Sequence, residues 1–180
     1  MISMAAVLFA ALMTTTVLTS CSSSDDDEAV KAKFTKAVVK YIVTSNDATL
    51  ALFKVNVCGT GADGNSFTET MSSSSYTKTV EIPVSKLPCT VELYTVATPL
   101  EGKAATEKFD FEVVRNIDVM TLNDDNTVVA ATGCTSTSGQ LNVAAGASLS
   151  ELADRMNSHV KLEYYIDANG MVTDKTKSKN

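Results

Sequence analysis

The sequence has no tryptophan, a single histidine (His159), three prolines and four cysteines in 180 residues. One histidine cannot form a multi-histidine metal site, and no recognised spacing sets a nucleophile beside it. Without tryptophan, the strongest aromatic platform for a sugar or a cation is missing. No CxxC pair offers zinc its usual thiolate spacing. With 15 Lys and Arg against 21 Asp and Glu, the net charge is −6, so attachment to nucleic acid or an anionic bilayer through excess positive charge is not expected. No apolar run approaches the roughly 20 residues that a membrane-spanning helix needs. What remains is 44% hydrophobic and 20% charged, a globular composition of single-domain length.

The first twenty residues carry no Asp, Glu, Lys, Arg or His, and Met4 to Met13 is continuously apolar. That run has the length of a signal-peptide hydrophobic region. Leu18-Thr19-Ser20-Cys21 follows directly. This resembles the lipobox of bacterial lipoproteins, in which the cysteine becomes the new N-terminus and carries palmitate-type acyl chains. The resemblance implies lipidation at Cys21, and several acyl chains together anchor stably where one is marginal. The segment departs from that family in having no Lys or Arg before the apolar run. A start assigned a few residues late accounts for the difference.

Ser22-Ser23-Ser24-Asp25-Asp26-Asp27-Glu28 comes next, a serine run with four like charges that cannot pack and will stay solvated. About a dozen flexible residues give a reach of roughly 20 Å. The stretch is similar to the Ser-then-acidic export signal of Bacteroidota-type lipoproteins, which implies the outer face of the outer membrane rather than a periplasm-facing anchor. The expected organisation is a signal peptide over 1–20, a lipidated acidic tether over 21–33, one domain over 34–174 and a disordered basic tail over 175–180.

From residue 34 onward, apolar and polar residues alternate with period two. The runs are 36–43, 53–57, 78–82, 91–94, 107–113, 127–131, 140–143 and 160–166. Turn-forming residues separate them at 59–65, 83–88, 99–102, 123–126 and 169–170. Eight or so short strands with polar connections predict an all-β, mainly antiparallel, immunoglobulin-like sandwich. Pro83 cannot donate to a ladder, which places its strand at an edge or ends it. One short helix near the C-terminus is predicted over 149–157, capped by Ser148 with Glu151 three residues on. Leu149, Leu152, Ala153 and Met156 form its buried face. Leu50 to Val57, Ala62-Asp63-Gly64-Asn65, Ser75-Tyr76-Thr77-Lys78-Thr79 and Leu87-Pro88 leading into Thr90 to Val96 resemble small Bacteroidota-type surface lipoproteins. That likeness implies fold and location only.

Several motifs invite chemistry and are better read as structure. Gly59-Thr60-Gly61-Ala62-Asp63-Gly64 fits a dinucleotide fingerprint, but no helix opens behind it, so a hairpin loop is expected. Ser75 and Lys78 fit SxxK, yet on a strand they point to opposite faces. Asn123-Asp124-Asp125-Asn126 and Asp167-Ala168-Asn169-Gly170 resemble fragments of calcium loops but lack the later bidentate glutamate, and such residues also build turns. No metal and no cofactor is expected.

With Cys21 lipidated, Cys58, Cys89 and Cys134 remain. Cys58–Cys89 is the most natural disulfide, and free buried thiols are the alternative, since Cys89 shares the face of Val91 and Leu93 while Cys58 alternates with Lys54 and Asn56. The candidate ligand platform falls to Tyr94 and Tyr165, each opposite its strand's aliphatic face. The competing reading is that these rings cover a sheet face. The expectation is a non-enzymatic, outer-membrane-anchored binding or structural module, whose partners are the membrane through its lipid and a glycan or protein. A glycan-binding accessory of an uptake system is the alternative, and an envelope hydrolase with paired carboxylates a further one. Replacing Cys21→Ser is predicted to abolish incorporation of labelled palmitate and leave an unprocessed precursor, read on a gel against the wild type.

Overall fold

The computed structural model describes residues 34–132, 137–157 and 161–176. Cys21, the tether, Cys134, His159 and residues 177–180 lie outside them. Among these residues ten strands and two short α-helices follow in the order β1 (Phe34–Ser45), α1 (Asp47–Leu52), β2 (Phe53–Thr60), β3 (Ser66–Thr70), β4 (Ser75–Pro83), β5 (Cys89–Pro99), β6 (Phe109–Asn123), β7 (Val128–Thr132), β8 (Thr137–Val143), α2 (Leu149–Asn157), β9 (Leu162–Ile166) and β10 (Val172–Asp174), with one 3-10 turn, Val84–Lys86, between β4 and β5. All pairings are antiparallel. The expected all-β sandwich is present, with ten strands rather than eight. β3, β10 and α1 are the additions, each of six residues or fewer and too short to show a period.

One sheet, sheet A, has the order β4-β1-β6, with β7 and β8 sharing the far edge of β6. β8 pairs the half from Phe109 to Arg115, and β7 the half from Val119 to Leu122. The other, sheet B, runs β10-β9-β5-β2-β3. At the centre β1 pairs β4 in one sheet and β2 pairs β5 in the other, as the B–E and C–F strands do in immunoglobulin domains. The flank departs from that plan. β6 follows β5 yet returns to sheet A beside β1, and β9 takes the place next to β5.

Alternation builds the core. β1 turns Ala37, Val39, Tyr41 and Val43 inward, and β6 turns Phe111, Val113, Ile117 and Val119 inward. Sheet B answers with Phe53, Val55, Val57, Val91, Leu93, Leu162, Tyr164 and Ile166. Phe53 and Phe111 meet across the sheets edge to face, centroids 5.2 Å apart, the geometry that ring quadrupoles favour. The buried Tyr41 hydroxyl donates to Thr60 O at 2.7 Å, and burial pushes its pKa far above the ordinary value.

Short local devices join the sheets. Asn46 caps α1 by accepting from Thr49 N at 2.8 Å, and Thr49 Oγ1 accepts from Glu112 N, so the helix carries the chain from sheet A to sheet B. The expected hairpin joins β2 to β3, but its loop is 61–65, since Gly59 and Thr60 still belong to β2 and pair with Phe67 and Ser66. A Cβ on Gly59 would sit 2.7 Å from the Phe67 ring, which explains the glycine without any nucleotide. Gly170 has φ +81° and lies against Phe34, while its carbonyl accepts from Thr121 Oγ1 at 2.8 Å. Pro83 ends edge strand β4, as expected.

α2 occupies the expected residues and buries the expected four side chains, and Glu151 N donates to Ser148 Oγ. β9 pairs β5 only from Cys89 to Leu93. Beyond that point α2 supplies a substitute: the Asn157 amide accepts from Ala97 N at 2.8 Å and donates to Ala97 O at 3.0 Å. Lys175 and Thr176, expected in a frayed tail, both bond to the Glu163 backbone, which continues the β9–β10 pairing. Phe111→Ala is predicted to cost about 3–5 kcal/mol, because it opens a void against Phe53. Urea unfolding followed by circular dichroism measures it.

Candidate functional site

The outer face of sheet B gathers most of the sequence-derived candidates. Period-two alternation turns Asn56 and Cys58 of β2 outward, together with Thr90, Glu92 and Tyr94 of β5 and Glu163 and Tyr165 of β9. Register aligns them into rows. Thr68, Cys58 and Tyr94 lie side by side across β3, β2 and β5. Glu92 lies opposite Glu163, and Thr90 opposite Tyr165, which in turn faces Thr173.

Tyr94 and Tyr165 therefore share one face, both half-buried. Four residues along β5 and one strand across put them about 14 Å apart. Adjacent Tyr164 points the other way and is fully buried. Between the two outward tyrosines sits a charge cluster. Lys161 Nζ donates to Glu92 Oε1 at 2.5 Å and lies 3.8 Å from Glu163 Oε2. The Glu92 hydrogen bond is the main reason the Lys161 ammonium is held above its ordinary pKa.

Cys58 faces outward yet is only 4% exposed, because its neighbours cover it. Thr68 Oγ1 donates to its sulfur at 3.5 Å. The Tyr94 hydroxyl is held above its usual pKa, first by the adjacent Cys58, whose thiolate would repel a phenolate, and then by burial.

The anticipated Cys58–Cys89 disulfide is not formed; both thiols are free. The register gives the reason. Cys58 lies opposite Tyr94, whereas Cys89 begins β5 opposite Ile166. Five residues of strand, about 17 Å, separate the two levels, and the side chains leave opposite faces. Burial raises the Cys89 thiol pKa.

The remaining motifs are occupied structurally. Lys78 of the SxxK stretch turns inward and binds Glu69 Oε1, while Ser75 is exposed. Asn123 and Asp125 both accept from Thr127 N at 2.8 Å. Asp167 Oδ1 accepts from Asn169 N and Met171 N. These side chains spend their oxygens closing turns, and no group of three metal-binding side chains converges among the described residues.

A cleft of about 350 Å³ lies between β8 and α2, bordered by Leu141, Val143, Ala147, Glu151, Leu152 and Arg155. Its lining includes one carboxylate, Glu151. Among the described residues no helix is long and apolar enough to cross a membrane.

Sequence reading identified the two tyrosines but missed the ion cluster between them. The signal was present, since Glu92 precedes Tyr94 by two residues and Glu163 precedes Tyr165 by two. Comparison with known proteins adds no identification: no family model, no curated protein and no solved structure matches the chain.

The open side of the sandwich between β3 and β4 is closed by Glu69, which accepts from Lys78 and, at 2.9 Å, from the Tyr76 hydroxyl. Lys78 also sits 4.6 Å from the Phe67 ring centroid. The Lys78 hydrogen bond, then that of Tyr76, lowers the Glu69 pKa from 4.5. A lowered carboxylate pKa stabilises the fold above its ordinary value, and this is lost as pH falls through the lowered one. Since the Glu69 side chain is 44% exposed, solvent screening keeps the effect small. Glu69→Gln is predicted to lose about 0.5–1 kcal/mol at pH 7. The gap from wild type should close below the lowered value, as followed by urea unfolding across pH.

Proposed function

We propose that this chain is a lipid-anchored envelope protein whose sandwich serves as a non-catalytic binding module, with the outer face of sheet B as its contact face. The observation that carries the reading is the placement of Tyr94 and Tyr165 on one exposed sheet face, with Glu92, Lys161 and Glu163 between them. Two aromatic surfaces about 14 Å apart suit an extended ligand better than a single small molecule. The intervening carboxylates and ammonium offer acceptors and donors to hydroxyl groups. Aromatic faces for apolar ring surfaces and a charged centre for hydroxyls are what an oligosaccharide requires. A glycan is therefore the ligand class this face fits best.

Anchoring rests on the sequence, through Leu18-Thr19-Ser20-Cys21 and the acidic stretch behind it. Residues up to 33 then separate the lipid from the first strand, a length that lets the sandwich work away from the bilayer. The hydrolase alternative gains no support from the β8–α2 cleft, where among the described residues Glu151 is the one carboxylate in the lining, with no second to pair with for glycoside cleavage.

The test is binding of the protein to an array of envelope and extracellular polysaccharides, compared with Tyr94→Ala and Tyr165→Ala. Each variant is predicted to bind at least tenfold more weakly while unfolding within about 1 kcal/mol of the wild type, as half-exposed side chains do. Retained glycan binding in both variants, or no glycan binding by the wild type, would contradict the reading.

A further inference from the structure

The inner face of β6 reads Phe111, Val113, Arg115, Ile117 and Val119, so an arginine occupies a position that alternation reserves for the core. Arg115 is 2% exposed and ranks among the largest fully enclosed side chains in the chain. It lies opposite Val43 of β1. Its guanidinium makes no ion pair with any described residue, and the enclosed Nε has no hydrogen-bond partner.

The nearby carboxylates do not reach it. Glu112 and Asp118 alternate with the buried residues of β6 and therefore leave the opposite face of the sheet. The buried side chains of β1 are Phe34, Ala37, Val39, Tyr41, Val43 and Ser45, of which tyrosine and serine are polar, and their hydroxyls are already committed to Thr60 O and Glu112 O.

A guanidinium keeps its proton far above neutral pH and offers five donors and no acceptor. Burial lowers the Arg115 pKa from 12.5, but a charge enclosed without a counter-charge is among the costliest groups a core can hold. The Tyr164 hydroxyl, also buried without a partner, is neutral, and a water molecule suffices for it. A buried cation needs a negative partner.

We infer that Arg115 marks an interior anion site, filled in the folded protein by a small monovalent anion of chloride or carboxylate type. This inference is independent of the outer face of sheet B, because Arg115 points into the sandwich from the other sheet. The anion acts as a structural ligand that binds the native state and not the unfolded chain, so it stabilises by mass action.

The test follows the melting temperature of the full-length protein in sodium gluconate, whose anion is too large for the interior. Chloride and acetate are exchanged in separately at constant ionic strength. The wild-type melting temperature is predicted to rise by about 3–5 °C per tenfold increase in the bound anion above its dissociation constant. A response to chloride alone, or to acetate as well, separates a halide site from a carboxylate site. Arg115→Met should lose the dependence while melting in gluconate no lower than the wild type. Equal anion dependence in wild type and variant, or none in the wild type, overturns the inference. A crystal of the wild type soaked in bromide provides a readout that does not depend on the variant folding. An anomalous peak within hydrogen-bonding distance of the Arg115 guanidinium is expected there, and water alone at that position overturns the assignment.

Discussion

The long antiparallel pairing of β1 with β6, from Phe34 opposite Asn123 to Ser45 opposite Val113, is the contact on which the other elements depend. β4 can pair only because β1 is already fixed, and β7 and β8 divide the free edge of β6 between them. The same pairing fixes which residues face inward. A one-residue slip of β6 against β1 would turn Glu112 and Asp118 into the core and carry Phe111 and Ile117 into water, and a slip of β1 would do the same with Lys40 and Tyr41. The alternation of strongly apolar with charged residues on both strands makes that slip prohibitive, so the register is set by composition.

The same rule explains how much of the molecule could be read in advance. β1, β6 and α2 were legible because each runs for at least nine residues and repeats its period several times. Every sequence-derived run lies largely within an observed strand. β3, made of Ser66, Phe67, Thr68, Glu69 and Thr70, has a single aromatic in its pattern and owes its place to pairing with β2. β10 is three residues long and follows from the Asn169-Gly170 turn. α1 depends on one cap, Asn46, and on Thr49 reaching Glu112, a tertiary contact that no local pattern announces. The sandwich class was therefore readable and its flank was not. Nothing in the composition of β6 says that it returns to sheet A instead of extending sheet B.

For the candidate site, orientation was legible and neighbourhood was not. The outward placement of Tyr94 and Tyr165 follows from parity alone. That they share a face follows from the β5–β9 register, which depends on where the chain after α2 rejoins the sheet. The same distinction decided the cysteines. Parity already set Cys58 against Cys89, and the register then added five residues of separation along β5. Arg115 is the reverse case, where a residue that composition would send to the surface follows its strand's parity into the core.

On the proposed reading, function divides along the sheets: sheet A carries the structural load and the buried cation, while sheet B offers a polar, aromatic face that the proposed lipid anchor would hold at the envelope. A working face of this kind is of use only if the anchored domain stands where its ligand is. Protease treatment of intact cells, probing for an epitope placed after Asn180, tests that most directly. The account predicts that the tagged domain disappears while a periplasmic control protein survives. Protection of the tag until the outer membrane is opened would contradict it, and would direct the search for a ligand to the periplasm.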